Sequence, residues 1–395
     1  MTITIFPASN GDSFLIETEN NNNILIDGGY INTYRDFIKP KLLELRDHKK
    51  ILNHLVITHI DSDHISGIVK FVEENKNNEI IEIGTVWHNS YSNLEQIEDG
   101  LIFSGKSLDQ FTVNYKLKDE QEPKEKNISA IQGSTLASLL RKFNHKSIVA
   151  YFDNKHISID VKNSILINDV TFKLLSPNDQ KLLELKKYWK RELYKNGFSS
   201  DENLKDFCED TFELLLSQEK ERKRLLKKDI GNSSAFSVDA LVKSNFIEDN
   251  TVTNGSSIAF VIEESEYKVL FLGDSHPQLI LENILEHYRG EQFPIKFDCI
   301  KISHHGSKSN TCPELLQYID SENYIFSTNG SGHNHPDEET IARIINRKAT
   351  FTRNLYFNYE LQSLANFKDD TLQKNYDYCI IENKTNTPTI IRLKK

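Results

Sequence analysis

The chain has 395 residues, a formal net charge of −10 and an apolar fraction of 38%. That length predicts one large domain with an insertion, or two domains, with apolar residues enough for a core. The acidic balance attracts neither nucleic acid nor an anionic membrane globally, so a polyanion site must come from local positive charge or from metal.

The opening "MTITIFPASNGDSFLIET" lacks the basic and long apolar regions of a signal peptide. Its runs "TITIFPA" and "SFLIET", with "NILIDGG" after them, read as short strands separated by Asn/Gly turns. A helical pattern follows over about 34–47. "HLVITHI" is a mostly apolar run suited to a strand buried on both faces, and "ISGIVKFVEEN" has helical spacing. Residues 90–165 are irregular and include the charged "KLKDEQEPKEKN", an expected exposed loop. "VTFKLLSP" returns to strand. From Asp179 the composition turns charged, predicting a helical insertion over 179–232 between two strand-rich halves, 1–178 and 233–395. The second half reads as a hairpin across "EESEY", a helix at about 276–288, the strand "FDCIKIS", a helix near 313–319, the strand "NYIFSTN", a helix at 336–347 and closing strands. No window reaches the roughly 18 apolar residues of a membrane-crossing helix. The four scattered cysteines read as reduced thiols in a cytoplasmic protein. Together these elements suggest a two-sheet α/β sandwich with helices outside.

Four predicted strands end in polar clusters: "ILIDGG" with Asp27, "VITHIDSDH" with His59, Asp61, Asp63 and His64, "LFLGDS" with Asp274, and "IKISHHGSKSN" with His304 and His305. Loops at strand ends are held by a rigid sheet, and imidazoles and carboxylates converging there make a metal site. Singly, Asp27 and Asp274 read equally well as turn or cap residues, and the His-His pair as surface. Four ligand-type side chains within residues 59–64 do not read as a solvated loop.

The stretch 59–64 resembles the HxHxDH motif of the metallo-β-lactamase superfamily, in the variant HxDxDH. That variant resembles the hydrolase domain of the ComEC competence proteins and their stand-alone relatives. "NGDSFLIET", "ILIDGG", "NGSSIAFVIEESEYKVLFLGD", "KISHHGSKSNT" and "NGSGHNHPDEETIARI" resemble further motifs of that group in order. The likeness covers most of the chain apart from 179–232 and parts of 90–165.

The resemblance implies an αββα metallo-β-lactamase sandwich carrying one or two divalent metal ions at one edge. Carried over, His59 and Asp61 face a first metal, Asp63 and His64 a second, and Asp274 bridges both. His304 completes the second site in preference to His305. Asp63, His64, His305 and His335 become the catalytic set. Asn254, Ser307, Lys308 and His333 become substrate contacts, and Asp12 and Asp27 supports near the site. Asn254 stands where many members carry a histidine ligand, and Asp61 also replaces an imidazole. Oxygen donors are harder than imidazole, so the expected ion shifts from Zn²⁺ toward Mn²⁺ or Mg²⁺. Metal-activated hydroxide attacking a phosphodiester is the implied chemistry. A nuclease acting on DNA or RNA, in DNA processing or defence, is the first expectation. Hydrolysis of a small phosphoester, nucleotide or other ester is the second. A regulatory subunit with a weakened metal site, binding a protein partner through 179–232, is the third. The basic run at 219–229, with Tyr188, Trp189 and Tyr194 upstream, is either a nucleic-acid track or a solvated helix face.

Overall fold

The computed structural model describes residues 1–94, 97, 136, 139–140, 151–152, 155–195, 236–331 and 334–394. The first sheet contains β1 (Thr2–Ile5), β2 (Phe14–Glu17), β3 (Asn23–Ile26), β4 (Leu52–Val56) and β5 (Ile83–Trp87), with β16 (Thr389–Arg392) beside β1. The second contains β6 (Ser164–Ile167), β7 (Val170–Ser176), β8 (Ala259–Glu264), β9 (Tyr267–Phe271), β11 (Cys299–Lys301), β13 (Asn323–Phe326), β14 (Arg353–Phe357) and β15 (Tyr378–Glu382). A short parallel pair, β10 (Ile295–Phe297) and β12 (Ile319–Ser321), lies apart from both sheets.

Side chains alternate across a strand, and that period sorts the core into three layers. Phe14, Ile16, Ile24, Ile26, Phe260, Ile262, Val269 and Phe271 fill the space between the sheets. Leu15, Leu25 and Leu55 face outward onto helices, meeting Leu42, Leu45, Ile68, Phe71 and Val72. On the other side Val261, Leu270 and Ile300 meet Ile280, Ile284, Ile341 and Ile344. The architecture is the αββα sandwich that the resemblance implied.

The helix expected over 34–47 begins earlier, at Ile31, and passes through a π-helical stretch, Tyr34–Ile38, before Lys39–Asp47. The helix expected near 313–319 is a single 3₁₀ turn, Leu315–Gln317. β5 and the β10–β12 pair have no counterpart in the sequence reading; they are short strands without clear alternation. The helix Asp179–Lys195 opens the charged segment, and its Leu182 and Leu185 join the first outer core. Residues 196–235, including the basic run, lie outside the described residues. Among the described residues no helix is long and apolar enough to cross a membrane.

β3, β4 and β5 run parallel, as do β9, β11, β13 and β14. The loops leaving the C-terminal ends of β3, β4, β9 and β11 meet at one edge of the sandwich. This is where open α/β sheets place ligands.

Candidate metal centre

Each loop carries its ligand-type residue straight off a strand. After β3 comes Asp27, in the left-handed region at φ 55°, and then the Gly28–Gly29 turn. Its carboxylate accepts the Thr58 N–H at 2.8 Å, the Thr58 hydroxyl at 2.7 Å and His64 Nδ1 at 2.8 Å. After β4 the chain delivers His59 and then Asp61, the N-cap residue of the helix Ser62–Glu74, whose first turn holds Asp63 and His64. After β9, Gly273 takes φ 50° and turns the chain into Asp274, whose N–H donates to Ser257 Oγ at 3.1 Å. After β11, His304 and His305 are both left-handed, at φ 46° and 56°. Two successive non-glycine residues in that region are strained, and such strain gathers at functional sites.

The side chains converge on Asp274. Its Oδ2 lies 3.7 Å from His59 Nε2, 3.6 Å from His64 Nε2, 3.9 Å from His304 Nε2 and 3.9 Å from His305 Nε2. His59 Nε2 is 3.2 Å from Asp61 Oδ2, and His305 Nε2 is 3.7 Å from Asp63 Oδ2. Among the described residues three sets that share His64 have metal-compatible spacing, and two of them lie in this cluster: His59, His64 and Asp274, and Asp63, His64 and His305. In the second set the ring beside Asp63 and His64 is that of His305, while His304 Nε2 lies at the same 3.9 Å from Asp274 Oδ2. His304 stands on the more open side, its Nδ1 3.0 Å from Asn310 Oδ1 and its ring centroid 5.2 Å from that of His335.

The outward nitrogens are fixed by groups that can only accept. His305 Nδ1 donates to the Ser327 carbonyl at 2.8 Å, and His64 Nδ1 to the Asp27 carboxylate. Each ring thereby turns Nε2 into the cluster, which is how a metal-ligating imidazole is oriented. His59 Nε2, His64 Nε2, His305 Nε2 and both Asp274 carboxylate oxygens are buried without a hydrogen-bond partner. Buried polar atoms are rarely left so, and their convergence from three loops fits a divalent metal centre.

The charged groups of the cluster shift one another's proton affinities. Burial would lower His64, but Asp274 and Asp27 outweigh it and hold its pKa well above 6.5. Burial likewise works against His305, yet Asp12 and Asp274 raise it to about 9. Burial would raise Asp274, but His64, His304 and His305 hold it well below 3.8. His304 differs: burial, with His335 and His305 adding to it against Asp274, lowers it to about 4.

The other predicted residues surround this core. Asn254 is buried; its Nδ2 donates to Asp249 Oδ2 at 2.7 Å, leaving Oδ1 without a hydrogen-bond partner. Ser307 is buried, and its Oγ accepts the Ser309 N–H at 3.2 Å. Lys308 is exposed, its ammonium 2.8 Å from Glu339. His335 Nδ1 lies 3.5 Å from Asp337 Oδ2. Asp12 lies beneath the cluster, its Oδ1 3.3 Å from His305 Nδ1. His333 is outside the described residues. Sequence reasoning missed Asp249 and Lys301. Asp249 accepts amide hydrogens from both Asn254 and Asn310, yet "IEDN" reads as a solvated loop. Lys301, the charged residue in the apolar run "CIKIS", carried a signal that could have been used.

A buried imidazole–carboxylate cluster with metal-compatible spacing, at the edge of an αββα sandwich, is consistent with the metallo-β-lactamase fold. Residues 7–105 match the family model of the metallo-beta-lactamase superfamily. Two solved structures are similar over 100% of both chains. One is Zn²⁺-bound PqqB from Methylobacterium extorquens, at 8% identity and a TM-score of 0.37. The other is Igni18, a metallo hydrolase from the archaeon Ignicoccus hospitalis, at 8% identity and a TM-score of 0.34. Comparison with curated proteins finds no match.

Proposed function

We propose that the protein is a metal-dependent hydrolase of phosphodiesters, with DNA or RNA as its substrate class and Mn²⁺ as its preferred ion. The observation that carries this reading is the oxygen character of the His59 side of the centre. There Asp61 lies against His59; beside His304, Asn254 stands where many members of the resembled superfamily bear a histidine. Hard oxygen donors favour Mn²⁺ or Mg²⁺ over Zn²⁺. A divalent ion, when bound, supplies Lewis acidity that acidifies water and offsets charge on phosphoryl oxygens. His59, Asp61, Asp63, His64, Asp274 and His305 are the residues that would hold it. The remaining residues bind and orient. Asp27 and the Ser327 carbonyl aim His64 and His305. His304 and His335, on the open side, are placed to contact a substrate oxygen or the departing group. Ser307, Lys308 and Asn310 lie on the same turn. The basic run at 219–229 belongs to this proposal as a backbone-binding element. If it binds duplex DNA, affinity falls with salt by ~0.9 log unit per neutralised phosphate, and neutralising Arg222, Lys223 and Arg224 flattens that slope.

The test is an EDTA-treated protein restored with Mn²⁺, Mg²⁺ or Zn²⁺ and given plasmid DNA, RNA and a small chromogenic diester, with His64→Ala as the control. Manganese-stimulated cleavage of a polynucleotide that His64→Ala lacks supports the reading. Turnover of the small diester alone would move the assignment to a small phosphoester hydrolase. Inactivity on all three, with a tightly co-purifying protein, would replace it with a partner-binding subunit.

A further inference from the structure

Beneath the ligand cluster lies a fully buried lysine. Lys301 ends β11 and is 1% exposed. Its ammonium donates to the Gly273 carbonyl at 3.0 Å, ion-pairs with Asp12 Oδ2 and stands 3.9 Å from Asp274 Oδ1. Asp12 in turn holds its other oxygen 3.3 Å from His305 Nδ1. Lys301 therefore reaches the central carboxylate directly and one imidazole through a single residue. Asp12, Asp27 and His64 form a third set with metal-compatible spacing. Within that set Asp27 is already satisfied by Thr58 and His64, whereas neither Asp12 oxygen has a hydrogen-bond partner and the carboxylate is matched by the Lys301 ion pair.

We propose that Lys301 is a positioning residue of the metal centre: a built-in cation that stands in for a third ion beneath the ligand cluster and fixes Asp274 and His305 before metal arrives. Strand geometry supports this. Lys301 pairs with Phe271 of β9, so the two strands end together and the ammonium meets the turn that carries Gly273 and Asp274. A group at that point sets the direction of the central carboxylate through the carbonyl one residue before it. The competing account is that Lys301 merely balances the buried charge of Asp12.

The two accounts part on sign. An ammonium near the ligands repels divalent ions, so loss of its charge alone should tighten metal binding, whereas loss of positioning should weaken it. The double variant Asp12→Asn/Lys301→Met separates them, because it leaves the net charge of the site unchanged and strands no lone buried ion. This inference rests on the metal-centre reading, so the native protein is measured alongside. EDTA-treated proteins are titrated calorimetrically with Mn²⁺ and with Zn²⁺, and folding is followed by circular dichroism and thermal melting. The expected result is a folded double variant whose affinity is lower by about 10–100-fold, the range found when groups orienting metal ligands are removed. Affinity equal to or tighter than native would make Lys301 a counter-charge only and overturn the proposal. Should the double variant not fold, Lys301→Arg keeps the charge but changes its reach. It is expected to bind metal at least tenfold more weakly, and native-like affinity would overturn the proposal equally. No binding by the native protein would remove the metal-centre reading and this inference with it.

Discussion

Asp27 illustrates how one residue carries both backbone and chemistry. Its left-handed conformation turns the chain at the end of β3, and its carboxylate gathers Thr58 and aims His64. Asparagine also tolerates that conformation, so Asp27→Asn should leave the turn intact and remove only the charged acceptor. Metal affinity should then fall about 10–100-fold with little change in fold, read by calorimetric titration. Unaltered affinity would mean that Asp27 serves the turn alone. Asn254 invites the opposite experiment. Its amide is held by Asp249, which also receives the Asn310 amide. Asn254→His would add an imidazole beside His304, so Zn²⁺ occupancy should rise at the expense of Mn²⁺. Metal analysis after growth in mixed metals checks this, and an unchanged Zn²⁺:Mn²⁺ ratio would count against the argument from donor hardness.

At the scale of elements, the site depends on two loops, at Gly11–Asp12 and Gly28–Gly29, clamped against the start of the helix Ser62–Glu74. The Asp12 N–H donates to the Asp63 carbonyl, the Gly28 N–H to the His64 carbonyl and the Gly67 N–H to the Gly29 carbonyl. Gly11 is part of the clamp for steric reasons, since a Cβ there would overlap the Asp63 carbonyl. Gly11→Ala must push the Gly-Asp loop off the helix, at a cost of about 1–3 kcal/mol as overpacking. The expected result is a lower melting temperature together with weaker metal binding, and a variant that melts and binds like the native protein would show that the clamp is slack. Much of this was legible in the sequence. The strands around the site end in Asp27, the 59–64 cluster, Asp274 and the His-His pair, and polar residues straight after apolar runs mark those ends. What was not legible was anything set by approach between distant segments. The placement of the His304 and His305 rings turns on two left-handed residues and on a carbonyl at Ser327. The role of Asp249 turns on amides from two other loops. The short strand β5 lacks the alternation that marks a half-buried strand, and its position beside β4 comes from tertiary packing.

Over the whole molecule, the centre exists only where the two sheets meet. The 59–64 cluster belongs to the first sheet, and Asp274, His304 and His305 belong to the second. The Ile258 N–H donates to the Thr58 carbonyl at 2.8 Å, and Ser327 Oγ to the Gly11 carbonyl at 2.7 Å, tying the halves across the site. β16 pairs with β1, so the last strand closes the sheet that the first one opens. Because the ligands are packed into this junction, their proton affinities bear on the stability of the whole fold. In the metal-free protein His64 and His305 have folded-state pKa values above 6.5. Their stabilising contribution is complete below about pH 6.5 and is lost as pH rises through the folded values, which for His305 is about 9. His54, His276, His287 and His304 are shifted the other way, chiefly by burial. Their contribution is present above about pH 6.5 and is lost as pH falls, toward about 4 for His54 and His304. Asp12 and Asp274 contribute above about pH 3.8 and lose that contribution lower still, near 2 for Asp12. EDTA-treated protein should therefore melt highest near pH 6–7 and lose stability on both sides. A metal bound at this cluster would replace the protons on His64 and His305, so its binding should tighten with rising pH and remove the alkaline loss. Thermal melts from pH 5 to 9.5, with EDTA and with Mn²⁺, read both limbs directly. Equal melting temperatures at pH 6.5 and pH 9 in EDTA would mean that the inward-facing histidines do not hold protons for the metal to displace.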